Sequence, residues 1–202
     1  MDWAKLADDE TIEKTASALK GRAVEVFIVN SREEGKKKVL ELIPEGSEVM
    51  DVTSTTLDEI GLSKELQESG RYVSVKKKIM SVDQKEIRTA MRRMSGIAEY
   101  VVGSVHAVTE EGQVVIASNS GSQLPPYAFG AANVIWVVGT QKIVKNLDDA
   151  FKRIKEHSFI LEDARARRAY GMPSGVNKIL IFEKEIMPNR VKLIFVKEKL
   201  GF

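Results

Sequence analysis

A chain of 202 residues can bury one substantial core, and its near balance of 31 Lys and Arg against 29 Asp and Glu leaves no overall field to draw it to nucleic acid or an anionic membrane. The absence of cysteine excludes disulfides, thiol catalysis, thiolate zinc sites and iron–sulfur clusters held by the chain itself. Its longest apolar runs, such as NVIWVVG, fall far short of the roughly 20 residues that span a bilayer, and the acidic, polar start MDWAKLADDETIEK is unlike a secretion signal, so one cytoplasmic domain over residues 1–202 is expected.

In chain order, Asp8 or Asp9 is placed to cap a first helix through Leu19, ended by Gly21, and this amino-terminal segment, residues 1–20, is expected to pack on the rest. AVEVFIV, rich in β-branched residues, reads as a buried strand. Asn30 and Ser31 then cap a helix to Ile43, stopped by Pro44 and Gly46. EVMDV is a second strand, and Ser54 caps the helical start STTLDEIG. The stretch Gly70 to Met80, GRYVSVKKKIM, fits either a strand or a loop with a lysine cluster. Asp83 and Glu86 have capping-box spacing, and Ile87, Ala90, Met91, Met94 and Ala98 follow at helical intervals, which predicts a helix facing a core. EYVVGS, QVVIAS and NVIWVVG read as strands, as do KILIFEKE and RVKLIFVKE. The short IMPN link between the last two fits a hairpin that adds an antiparallel edge. Short apolar strands alternating with helices predict an α/β fold with a mostly parallel sheet covered on both faces.

Ligands in such sheets sit beyond the carboxyl ends of strands, which directs attention to loops. The first, Gly103 to Ser118, holds His106, Glu110 and Glu111, followed by Gly112, which permits a tight turn. Glu110 and His106 are the acid/base candidates; the alternative is a hairpin or crossover with solvated carboxylates. The second loop, Ser118, Asn119, Ser120, Gly121, Ser122 and Gln123, offers hydroxyls, amides and closely spaced N–H donors ahead of a helix that Pro125 or Pro126 can start. Such a loop binds phosphate or carboxylate at a helix N-terminus, or else is a capping turn. It matches neither the Walker nor the Rossmann pattern.

A helix from Asn146 carries Leu147, Phe151, Ile154, Ser158 and Leu161 on one stripe, continued by Arg165 and Arg168, while Arg167 points away. Phe159 and Ile160 fall off the stripe and mark a place where the helix can break. The two arginines either meet a ligand or offset the C-terminal dipole, and YGMPSG after them is a loop that can close over a site. Lys36 to Lys38, Lys76 to Lys78, Lys85, Arg88, Arg92 and Arg93 read as solvated faces; without stacking aromatics they predict no nucleic-acid surface. With His106 and His157 far apart, no metal site is expected.

GSVHAVTEEGQVVIAS, the polar loop after it, LPPYAFGAANVIWVVGTQKIV and the helix bearing EDARARRAYG resemble the LUD domain of the lactate-utilisation protein family. The family pattern reads Gly, several small residues, then Ala-Glu-Thr-Gly-Thr and a hydrophobic strand. Gly103, Glu110 and Gly112 match it, Glu111 and Gln113 replace the two threonines, and His106 replaces a small residue. The resemblance implies a three-layer α/β/α fold shared with ribose-5-phosphate isomerase, glucosamine-6-phosphate deaminase and coenzyme A transferases (the NagB/RpiA/CoA-transferase-like fold). It also implies a part beside iron–sulfur oxidoreductase partners in oxidising lactate to pyruvate, with no cofactor on this chain. The leading expectation is a lactate-utilisation-type protein holding a small anionic metabolite between Glu110, the 118–123 loop and Arg165 or Arg168, with Gly103 and Gly112 shaping the site. The rivals are an isomerase- or CoA-transferase-like enzyme using Glu110 as base or nucleophile, and a non-catalytic assembly subunit; a homodimer is compatible with the sequence. Each version of the site needs the acidic turn and the serine-lined bend to converge on one rim.

Overall fold

In the computed structural model, which describes residues 2–94 and 98–202, six strands form a wholly parallel main sheet. Their order is β1 (Val24–Val29), β10 (Val191–Val196), β7 (Asn133–Gly139), β4 (Tyr100–Gly103), β2 (Glu48–Asp51) and β3 (Val73–Ser74). The helices around it start where short polar side chains satisfy free backbone N–H groups. Asp8 accepts from Thr11 at the start of α1 (Asp9–Gly21), Ser31 from Glu34 at α2 (Arg32–Leu42), and Ser54 from Leu57 at α3 (Thr55–Glu59). Next come α4 (Leu62–Glu68), α5 (Val75–Met80) and α6 (Ile87–Met94).

Side chains alternate across a strand, and here both sets are apolar. Val134, Trp136, Leu193 and Phe195 pack on one face with Ile12 and Leu19 of α1 and Val75 and Ile79 of α5. Ile135, Val137, Ile194 and Val196 pack on the other with Val39 of α2, Leu57 of α3 and Leu62 and Leu66 of α4. Helices therefore cover the sheet on both sides, which is the expected α/β arrangement. No helix among the described residues is long and apolar enough to cross a membrane.

A second, four-stranded sheet, not foreseen from the letters, lies beside the first in the order β8 (Ile143–Val144), β5 (Ala107–Thr109), β6 (Val114–Ser118) and β9 (Lys178–Phe182). Its β5–β6 and β6–β9 pairs are antiparallel and β5–β8 is parallel. Ala107, Val115 and Ala117 pack against Ala150 of α7 (Leu147–Arg153). A π-helical turn, Ile154–Ser158, joins α7 to α8 (Phe159–Tyr170).

Several local expectations change. The terminal hairpin is absent: β10 enters the middle of the main sheet, parallel to both neighbours, while β9 pairs with β6 in the other sheet. Burial explains this, because Leu193, Ile194, Phe195 and Val196 are all buried and suit a central strand rather than an edge. GRYVSVKKKIM becomes the two-residue β3 and then α5, whose cap is Ser74 accepting from Lys77. Asp83 and Glu86 form a turn, in which the Glu86 N–H reaches the Asp83 backbone oxygen, and the helix begins at Ile87. Residues 95–97 of that expected helix lie outside the described residues, and Ala98 beyond them is buried outside any helix. Pro126 opens a π-helical turn, Pro126–Gly130.

That turn presses Tyr127 onto Gly103 at the end of β4. The buried Tyr127 ring packs edge-on to Trp136 with centroids 5.5 Å apart, and a Cβ added at Gly103 would collide with the Tyr127 hydroxyl and Val52 Cγ2. Gly103→Ala is therefore expected to lower stability by about 2–3 kcal/mol in denaturant titration, as overpacking does. Adding Tyr127→Phe should recover part of the loss; an unaltered midpoint for the single variant would show that the contact gives way.

Candidate functional site

A cavity of 280 Å³ opens where three parallel strands end. After β2 come Thr53, Ser54, Thr55 and Thr56; after β4 come Ser104 and His106; after β7, in a short 3₁₀ turn, comes Lys142. The opposite wall is built from the loop after β6, from Ser158, Phe159, Glu162 and Arg165 on the α7–α8 run, and from Ser174, Gly175 and Val176 beyond it. The location obeys the rule that open α/β sheets bind ligands beyond the carboxyl ends of their strands.

The floor is cationic. Lys142 is only 3% exposed, and its Nζ donates to Thr56 Oγ1 and Ser104 Oγ, each at 3.0 Å. Both partners are neutral hydroxyls. Burial first, and the charge of Arg153 second, push the Lys142 ammonium down to about 7, with Glu59 opposing in part. Arg153 is wholly buried behind the lining, and its Nη1 donates to the His106 backbone oxygen at 2.6 Å, Ser158 Oγ at 2.9 Å and the Phe202 backbone oxygen at 3.3 Å. Its Nε and Nη2 have no hydrogen-bond partner, and burial lowers its pKa to about 10. Neither buried cation has an Asp or Glu side chain among its hydrogen-bond acceptors, and such cations are costly unless an anion joins them.

His106 is neutral in this setting. Its Nδ1 accepts the Ala117 N–H at 3.1 Å, so its proton sits on Nε2. Burial, then Lys142 and Arg153, push its pKa down to about 3. Across physiological pH it is a hydrogen-bond donor rather than a base. At the wall, Arg165 is held bidentately by Glu162 at 2.7 and 2.8 Å, and its guanidinium lies 5.4 Å from the Tyr170 ring centre. Its hydrogen bonds to Glu162 raise its pKa, and the pair adds little net charge to the cavity.

Of the residues singled out in the sequence, His106, Ser118, Asn119, Ser120, Ser122, Gln123 and Arg165 line this cavity. Glu110, Gly103, Gly112, Gly121 and Arg168 do not. The reason for Glu110 is the hairpin: β5 and β6 run antiparallel, so the 110–113 turn sits at the far end from His106, about 13 Å along extended chain. There Glu110 pairs with Lys14 of α1 at 2.7 Å, and Gly112, at φ +86°, turns the chain where an added Cβ would collide with the Ala18 and Leu19 backbone. The acidic turn and the serine-lined bend therefore lie at opposite ends of β6. We expect Glu110→Gln to change ligand affinity less than about twofold by calorimetry, the size of a lost surface ion pair without a ligand role; a larger loss would return Glu110 to the site.

Two amide hydrogens of the serine-lined bend are taken by its own hydroxyls. The Gly121 N–H is taken by Ser118 Oγ at 2.8 Å and the Ser122 N–H by Ser120 Oγ at 3.3 Å. Ser118 in turn donates to Gln123 Oε1 at 2.9 Å. Arg168 is exposed on α8, because the π-helical turn inserts a residue into the ladder and rotates everything after it. The groups missed from the sequence are Lys142, Arg153, Ser104 and Thr56. Lys142 has a readable signal, since GTQK directly follows the wholly apolar β7. Among the described residues, no group of three or more His, Asp or Glu side chains is arranged to hold a metal ion.

Comparison with known proteins gives a family match and a likeness of fold. The family model of the LUD domain matches residues 12–196. The fold is similar to that of a DUF162 family protein from Deinococcus radiodurans, with a TM-score of 0.57 and 13% identity over 95% of this chain and 99% of that one. Smaller likenesses are to eIF2B beta from Chaetomium thermophilum, with a TM-score of 0.39 and 15% identity over 60% of this chain and 42% of that one. The delta subunit of eIF2B from Chaetomium thermophilum gives a TM-score of 0.36 and 14% identity over 71% of this chain and 58% of that one. No curated protein sequence matches the chain.

Proposed function

Since this chain belongs to the LUD domain family, we propose that it is a lactate-utilisation-type protein whose task is to bind a small anionic metabolite, of the carboxylate class, over Lys142. The observation that carries this reading is the buried Lys142, whose hydrogen bonds both go to neutral hydroxyls at the base of a hydroxyl-lined cavity, with the buried Arg153 behind it taking no Asp or Glu side chain as a partner. A carboxylate there removes the unfavourable charge and gains charge-assisted hydrogen bonds. His106 Nε2–H and the hydroxyls of Ser104 and Thr56 are suited to the ligand's other oxygens. A volume of 280 Å³ lies just below the usual range of about 300–1,000 Å³ for ligand pockets, which favours a metabolite of few heavy atoms. A role for Glu110 as base or nucleophile has no support, because its carboxylate is spent on Lys14.

Calorimetric titration with lactate, pyruvate and inorganic phosphate, with lactamide as the neutral control, tests the reading. At least one carboxylate should bind, more weakly as salt rises, and lactamide should not. Equal binding of lactate and lactamide, or binding of none of them, would overturn it.

A further inference from the structure

We propose that Lys142 is also a nucleophile, whose amine forms an imine with the carbonyl carbon of a small oxo acid held in the cavity. This rests on the anion-binding reading and adds a covalent step to it. Geometry and elimination both lead to this amine. The cavity's serine and threonine hydroxyls are poor nucleophiles without a base, and His106 cannot supply one: its Nδ1 is occupied by the Ala117 N–H and its Nε2 carries the proton. Glu110 is at the other end of the hairpin, Glu162 is held by Arg165, and Asp58, the other carboxylate side chain of the lining, is exposed. Lys142 remains, lining the cavity with Thr56 Oγ1 and Ser104 Oγ each 3.0 Å from its Nζ. Those hydroxyls are placed to relay protons to and from the attacked oxygen.

Arg153 makes the neutral amine compatible with an anionic ligand. When Lys142 releases its proton, Arg153, directly behind the lining, keeps a positive charge under the cavity and the ligand's carboxylate stays neutralised. Burial and that same charge leave the amine about half unprotonated near neutral pH. In the step itself, the Nζ lone pair attacks the carbonyl carbon, and the carbon–oxygen π pair moves to oxygen, which takes up a proton. The carbinolamine then loses its hydroxyl, together with a proton from nitrogen, as water. Amine plus carbonyl gives imine plus water, with no oxidant or reductant consumed.

The test is reductive trapping on the full chain: pyruvate plus sodium borohydride, followed by peptide mass mapping. One reduced adduct per chain is expected, on the Lys142 peptide, at a rate that rises as pH passes through about 7. Hydroxyacetone, a neutral ketone of similar size, should be trapped at least about tenfold more slowly, as expected when charge-assisted contacts are lost, and Lys142→Arg should give no adduct. The mapping of the unmodified chain stands even if that variant folds poorly. Adducts that are absent, or scattered over exposed lysines, while pyruvate still binds in calorimetry would sink this inference alone. Absence of pyruvate binding while lactate binds would sink it as well, and absence of binding by either would sink the reading beneath it.

Discussion

Lys142→Met is expected to raise the stability of the empty protein and to weaken carboxylate binding by about 10- to 100-fold, the size of a lost charge-assisted hydrogen bond. The two effects share one cause. An amine that titrates at about 7 when folded and at 10.5 when free carries a charge-burial cost on the order of 5 kcal/mol below pH 7. The hydrogen bonds to Thr56 and Ser104 disappear with the ammonium, so the net gain will be smaller, a few kcal/mol, and visible as a higher Tm. The sign follows from proton uptake. Between pH 7 and 10.5 the unfolded chain holds a proton that the folded chain has released, so wild-type stability climbs as pH rises through that window. The Met variant should lack that slope. Ligand affinity runs the opposite way: the anion binds best below pH 7 and weakens above it by no more than about the 10- to 100-fold that the Lys142 charge supplies, because Arg153 stays charged. A Met variant that melts earlier, or binds lactate and pyruvate as well as wild type, would refute the cationic floor.

Arg190→Met should be strongly destabilising, costing about 3–5 kcal/mol, as breaking a buried ion pair does. Arg190 is 8% exposed and donates to Glu185 at 2.6 Å, to the Ala131 and Pro126 backbone oxygens at 2.9 Å and to that of Tyr127 at 3.1 Å. It therefore fastens the π-helical turn that carries Tyr127 to the segment before β10. Its loss strands a buried Glu185 carboxylate as well as three carbonyls. For a chain of this length the drop corresponds to roughly 10 °C in Tm. Burial raises the Glu185 pKa, but the Met187 N–H, Arg190 and the Ile186 N–H together outweigh it and hold it below 4.5. The pair's contribution is thus complete above pH 4.5 and fades as pH falls through the depressed value. Glu185→Gln, which keeps an acceptor, should cost less, and the double variant should cost less than the sum of the two. Strict additivity would show that the two groups do not act as a pair.

The main sheet is readable because its strands carry continuous apolar runs and its helices announce themselves with Asp8, Ser31 and Ser54 as caps. The partner of β9 is not. A short link such as IMPN permits a hairpin, and only the burial of Leu193 through Val196 on both faces reveals that β10 belongs in the centre. At the site, the Ser118 to Gln123 bend is legible because hydroxyl-rich loops after strands are conspicuous. Glu110 misleads because residue types do not say which end of an antiparallel hairpin meets the cavity. Lys142 escapes notice because a lysine is ordinarily solvated; only the packing of Thr56, Ser104 and Arg153 around it makes it different. Arg168 misleads because a stripe drawn at 3.6 residues per turn runs straight through Ile154–Ser158, where the ladder is wider.

The position of β10 also bears on how the molecule is made. Its hydrogen-bonding neighbours, β1 and β7, leave the ribosome long before residue 191 does, and each waits with an open strand edge on the side that β10 will occupy. The sheet cannot close until Val196 has been made, and the nascent chain is most prone to wrong pairing in that interval. Chains halted before Val196 would therefore be substrates for chaperones rather than smaller versions of the folded protein.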